Sequence, residues 1–124
     1  MNNFLLVALG GAAGSMARYS LSLRWSGAIW PLGTFVANIA GGLLIGGLAG
    51  FLADRVGDGA DRLRLLLQVG VLGGFTTFSA YSLETVIMIE RRAYVSAAGY
   101  ALGSVVVSLL AVSLGLVIAR RGFA

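Results

Sequence analysis

With 124 residues, 58% of them hydrophobic and only 11% charged, the chain has too much apolar surface for a soluble domain. A domain of this size leaves a large share of its surface in water, so the mean hydropathy of +0.91 points to a single integral membrane domain. Cysteine and histidine are both absent and the formal net charge is +4, which excludes disulfides, thiolate chemistry and the commonest general base and metal ligand. The basic side chains are all arginine and suit loop ends and lipid headgroups, not nucleic acid.

Four apolar segments follow in order, each longer than the roughly 20 residues that cross a hydrocarbon core. The first spans about 2–23 and ends at Arg24 and Trp25. Its start lacks the charged region of a cleaved signal, so it reads as a span. It holds Arg18, six residues before Arg24, roughly 9 Å along a helix. Arg18 either snorkels to the surface or forms an electropositive vestibule for anions. Trp25 and Trp30 lie in the first loop, where interfacial tryptophans belong.

The second span covers about 31–53, with Pro31 at its start, where a missing N–H does no harm. In it, Gly42, Gly46 and Gly50 recur every four residues and predict a face for close helix approach. Asn38 is polar within this span; it either bonds a neighbouring helix or lines a pathway. "DRVGDGADR" is the one clearly aqueous loop.

The third span, about 65–89, carries "GGFTTFSAYSLE" (Gly73–Glu84) near mid-depth. Gly73-Gly74 and Thr76-Thr77 are poor helix material. A break there frees backbone carbonyls that must be paired or line a cavity. If two copies lie antiparallel, the two breaks meet on the twofold axis and their carbonyls could surround one hard cation. Phe78 and Tyr81 share a helix face, and ring edges, being electropositive, can receive an anion without the grip of a full charge. The fourth span, about 93–119, carries Tyr100, Ser104 and Ser108 as a hydroxyl stripe.

Counted by side, the arginines balance. Arg55, Arg62, Arg64, Arg120 and Arg121 share the side of the N-terminus, against Arg18, Arg24, Arg91 and Arg92. The positive-inside rule then fixes no orientation: either the signal is weak in a short chain, or the topology is dual, with copies inserted both ways. Four helices of this length hardly enclose a pore alone, so an oligomer follows. No acidic residue sits in the middle of a span; Glu84 is only six residues before Glu90. A proton-coupled exporter of the small multidrug type needs a carboxylate at depth, and the first span has none. No catalytic pair or metal cluster marks an enzyme. A third reading is an assembly subunit that uses its glycine faces to bind partners.

Three stretches in order, "GGAAGSMARY", "GTFVANIAGGLLIGG" and "GGFTTFSAYSLE", resemble the signatures of the CrcB (Fluc) fluoride channels, and the resemblance covers essentially the whole chain. It implies an all-α, antiparallel, dual-topology homodimer in the bacterial inner membrane, with the third helix broken. It further implies two pores that export fluoride passively. It also implies a structural sodium on the dimer axis, held by the main-chain carbonyls of Gly73 and Thr76. By the same match, Asn38, Phe78, Tyr81, Tyr100, Ser104 and Ser108 form the anion pathway, and Arg18 and Glu84 take vestibule or structural places. Tyr81 stands where the family usually has phenylalanine.

Overall fold

The computed structural model describes residues 2–123, and every regular element among them is a helix. Helix α1 spans Asn3–Arg24 and is capped by Asn2, whose side chain accepts the Phe4 N–H at 2.8 Å, an N-terminal cap of the usual kind. Helix α2 spans Leu32–Leu52. A short α3, Asp58–Leu63, leads into a π-helical stretch, Arg64–Leu72, and then into a single turn, α4, Gly73–Phe75. The chain turns extended at Thr76 (φ −87°, ψ 156°) and becomes helical again in α5, Ser79–Glu90. Helix α6 runs unbroken from Tyr94 to Gly122. Four helical segments are long and apolar enough to cross a membrane, the third being the bent unit Asp58–Glu90. That helix begins well before Leu65, because the aspartates of the aqueous loop sit in its first turn, where a helix dipole favours negative charge.

Two seams hold the helices together. Helix α2 packs along α6, and α1 packs along the π-helical stretch and α4. In the first seam a Cβ at Gly46 would overlap the Val112 carbonyl oxygen, and one at Gly50 would lie 2.8 Å from the Ala119 Cβ. Gly115 returns the contact from α6, against the Leu43 carbonyl and the Gly47 nitrogen. The second seam uses another pair of four-residue repeats. Gly10 and Gly14 of α1 face Gly70 and Val71, and Gly74 faces the Gly11 backbone. Backbones in contact gain dispersion that lipid cannot supply, and this is what associates helices in a bilayer.

The interior is thin and aromatic. Tyr100 is fully buried with Met88 and Ala97, and Trp30, Phe35 and Tyr81 pack around it. Trp30 is half-buried and meets the Tyr100 ring edge-on at 5.9 Å, so it is a core residue as well as a loop residue. Large apolar side chains such as Leu102, Leu109 and Leu110 stay exposed, as a surface bathed in lipid requires. Arg92 closes the α5–α6 turn at φ 60°. The Ala93 N–H bonds back to Met88, the wrap that ends many helices at a left-handed residue.

Candidate functional site

The break in the third span is maintained by a side chain from α2. The Asn38 amide lies against the main chain of one residue: its Oδ1 accepts the Thr77 N–H at 2.8 Å and its Nδ2 donates to the Thr77 carbonyl at 2.9 Å. A regular helix would have sent the Thr77 N–H to Gly73. The Ala80 N–H, which a regular helix would have aimed at Thr76, is bound by the Thr77 hydroxyl at 3.2 Å. With their usual donors diverted, the carbonyls of Gly73 and Thr76 receive no hydrogen bond among the described residues. Of the two carbonyls between them in the chain, that of Gly74 is satisfied from outside by the Arg18 Nε at 3.2 Å. Arg18 therefore neither stands free at an interface nor points only to solvent; it fastens α1 to the broken turn.

Beside the break runs an open groove of about 480 Å³. Asn38, Gly73, Thr76, Phe78, Tyr81, Ser104 and Ser108 all line it. Seven positions singled out by sequence, from three spans, thus share one surface. Phe78 is 77% exposed there, a large ring left open at the mouth of the break. Its centroid lies 5.5 Å from that of Tyr81. The Tyr81 hydroxyl is occupied, donating to the Ala101 carbonyl at 2.9 Å, so its ring faces the groove while its oxygen ties α5 to α6. The Ser104 hydroxyl is buried and has no hydrogen-bond partner among the described residues. A buried hydroxyl without a partner is costly, and this one lines a groove.

Tyr100, Arg18 and Glu84 do not line the groove. Tyr100 sits behind it, 5.5 Å from the Tyr81 ring, and donates to Glu84 Oε2 at 2.7 Å. The other carboxylate oxygen accepts from the Thr34 hydroxyl at 2.8 Å. Glu84 is thus held by two helices and is not an isolated charge. The sequence reading passed over Thr34 although it stands four residues before Asn38, on the same face of α2. It also passed over Gly41, where a Cβ would overlap the Thr76 methyl; the missing side chain lets the break approach α2. Among the described residues no group of three acidic, histidine or cysteine side chains could hold a metal. The oxygens that lack donors are carbonyls.

The arrangement offers donors without positive charge. An amide has two N–H groups, and Asn38 spends one on Thr77. A second N–H, the Ser104 and Ser108 hydroxyls and two ring edges remain along one apolar-walled groove. Such a lining can strip and replace the water of a small anion without trapping it.

A family model described as CrcB-like protein, Camphor Resistance (CrcB), matches residues 5–116. A protein of Phenylobacterium zucineum named fluoride-specific ion channel FluC is 61% identical over the full length of both chains. One of the same name from Caulobacter sp. strain K31 is 56% identical over 99% of this chain and 98% of its own, and one from Caulobacter vibrioides is 50% identical over the full length of both. The match runs through every helix that builds the groove, and the chain belongs to the CrcB (FluC) family.

Proposed function

We propose that this multi-pass inner-membrane protein is a fluoride-selective channel and not an enzyme. It lets fluoride leave the cell passively, down its electrochemical gradient, and so relieves fluoride toxicity. The names of its relatives support fluoride as the ion. The observation that carries the reading is the groove itself, above all the buried, unpartnered Ser104 hydroxyl on the same wall as Asn38 and the Phe78–Tyr81 rings. Fluoride is small and strongly hydrated, so a pathway must offer donors in place of water. In this reading Asn38, Ser104 and Ser108 donate in turn, and the edges of Phe78 and Tyr81 carry the ion between them. Tyr100 and Glu84 stand one layer back and fix the Tyr81 ring and the α2–α5 spacing. Arg18 holds the break open through Gly74.

A groove open on one side suits half of a pathway. An antiparallel, dual-topology homodimer would close two such grooves, one on each protomer, and set the two breaks face to face. The carbonyls of Gly73 and Thr76 fit a structural sodium there. They are neutral, hard oxygens that have lost their helical donors, two from each protomer and four in all. When bound, the cation would supply positive charge at depth and tie the breaks together. Its ligands being main chain, the threonine side chain is dispensable for it.

Purified protein in liposomes loaded with both anions decides the function. Rapid fluoride loss without chloride loss is the expected result. Equal loss of both anions, or proton flux driven by a hydrophobic cation, overturns it. Orientation is read separately, with Gly59→Cys labelled by an impermeant reagent. Comparable labelling from the two sides is expected, and labelling from one side alone removes dual topology. Sodium has its own readout: exchange of sodium for a bulky organic cation during purification should loosen the dimer in gel filtration. An unchanged dimer removes the ion from the axis.

A further inference from the structure

The α2–α6 pair has a second groove, on the face turned away from the break. It begins among Val36, Ala40 and Leu43 of α2 and Val107, Ala111 and Leu114 of α6, with a wholly apolar lining. It continues past Leu43 along Gly47, Gly115 and Ile118 to Phe51 and Phe123. On α2, Asn38, Gly42 and Ile45 line the polar groove. Val36, Ala40 and Leu43 line this one, and helical periodicity sets the two groups on opposite sides of the helix.

From Val36 to Phe51 the trough runs about 22 Å at the helical rise. One leaflet of a hydrocarbon core is about 15 Å deep, so the trough takes a whole acyl chain. Small residues make its floor, which is why it is a trough and not a ridge. Its far end is closed by the Phe51 and Phe123 rings, edge to face with centroids 4.8 Å apart. The charge changes abruptly at that end. The Arg55 guanidinium lies over the Phe51 ring, 4.0 Å from its centroid, with Nε on the Phe51 carbonyl at 3.0 Å. Its two terminal nitrogens make no hydrogen bond among the described residues. Arg120 and Arg121 occupy the last turn of α6, beside Phe123. None of the three forms an ion pair among the described residues; the only one there is joins Arg64 to Asp61.

From the trough and its basic end we infer that this face is a binding site for an anionic phospholipid. One acyl chain lies in the trough and the phosphate rests on Arg55, while Arg120 and Arg121 add positive charge at the same end of the helix pair. Guanidinium groups pair with phosphate through paired N–H donors, and cationic side chains at a membrane surface attract anionic lipid. The inference does not depend on what the other groove conducts.

Native mass spectrometry of the detergent-solubilised full chain provides the test, with phosphatidylglycerol and phosphatidylcholine of identical acyl chains as probes. Phosphatidylglycerol should be retained at least tenfold better, one per protomer. R55A/R120A/R121A should bring its retention down to that of phosphatidylcholine. Gly47→Leu should weaken both lipids, since a Cβ there meets only the Gly115 carbonyl, at an easy 3.9 Å, and the rest of the side chain fills the trough. Phosphatidylglycerol bearing a photoreactive acyl chain should label peptides containing Leu43 or Ile118 in the unsubstituted protein, an arm that needs no variant to fold. Equal retention of the two lipids, unchanged retention in the arginine variant, or labelling confined to other faces overturns the site. Assembly of larger oligomers in place of lipid retention does so too, because a second copy would then cover the face.

Discussion

The two seams of this protein use the same device and end differently. In the α2–α6 seam, glycines bring two continuous helices into backbone contact. In the seam between α1 and the third span, Gly10 meets Gly70, Gly14 meets Val71 and Gly74 meets Gly11 just as closely, yet one turn later the helix stops. Close packing therefore does not decide whether a helix stays whole. What separates the two is the competition for N–H groups. Around Thr77 a side-chain amide and a side-chain hydroxyl take donors that the helix would have used. Along α6, Ser113 merely bonds back to its own helix, to Leu109 at 2.9 Å, and leaves its ladder intact.

The largest expected effect comes from breaking the intact seam. Gly46→Val drives a side chain into the Val112 backbone, which has no flexible end to yield. Overpacking of this kind costs about 3 kcal/mol or more, and little monodisperse protein should survive gel filtration. Next comes Asn38→Asp, which attacks the broken seam. A carboxylate keeps an acceptor for the Thr77 N–H but sets a second acceptor against the Thr77 carbonyl, and it repels an anion. Fluoride flux should fall at least a hundredfold while the protein still elutes as a folded species. Undiminished flux would return Asn38 to packing alone.

Phe78→Ile keeps apolar bulk and loses the electropositive ring edge; flux should drop tenfold or more. Tyr81→Ile should act in the same direction, though less strongly. Normal flux in both would put the pathway elsewhere. Ser104→Ala separates function from stability. It deletes a buried hydroxyl that has no partner, so thermal stability should hold or rise by about 1 kcal/mol as flux falls several-fold. A loss of stability without loss of flux would show the hydroxyl to be structural. The smallest effect belongs to Tyr81→Phe. It gives up the bond to Ala101, about 1 kcal/mol, while the ring stays, so flux should remain within a factor of about three.

Much of the architecture is legible in the sequence because membranes impose coarse rules. Charge clusters mark the ends of four apolar segments, and a Gly-Gly-Phe-Thr-Thr run cannot easily continue a helix. The glycine repeat on α2 is read directly. The equivalent repeats Gly10–Gly14 and Gly70–Gly74 carry the same signal, but each has only two glycines at that spacing, against three on α2. Other features are tertiary and leave no local trace. That the Arg18 side chain ends on Gly74 depends on how α1 crosses the third span. Tyr100 shares the helix face of Ser104 and Ser108 in sequence, yet the aromatic cluster of Trp30 and Phe35 claims it and turns its hydroxyl to Glu84. Spacing places a residue on a face; only the neighbouring helix decides whether that face meets a groove or a wall. The π-helical stretch Arg64–Leu72 likewise has no sequence mark that distinguishes it from an ordinary apolar helix.

The Asn38–Thr77 contact also makes a reporter of one amide proton. From Ser82 onward, where the N–H of α5 bonds back to the Phe78 carbonyl, amides exchange with deuterium only when a length of helix unravels, a cooperative and slow event. The Thr77 proton is held by a single side chain, so it is released by one rotation of Asn38, a motion that ordinarily runs far faster than helix opening. Its exchange rate therefore times the turnover of the amide that anchors the break, and it does so in the resting protein with no ion moving.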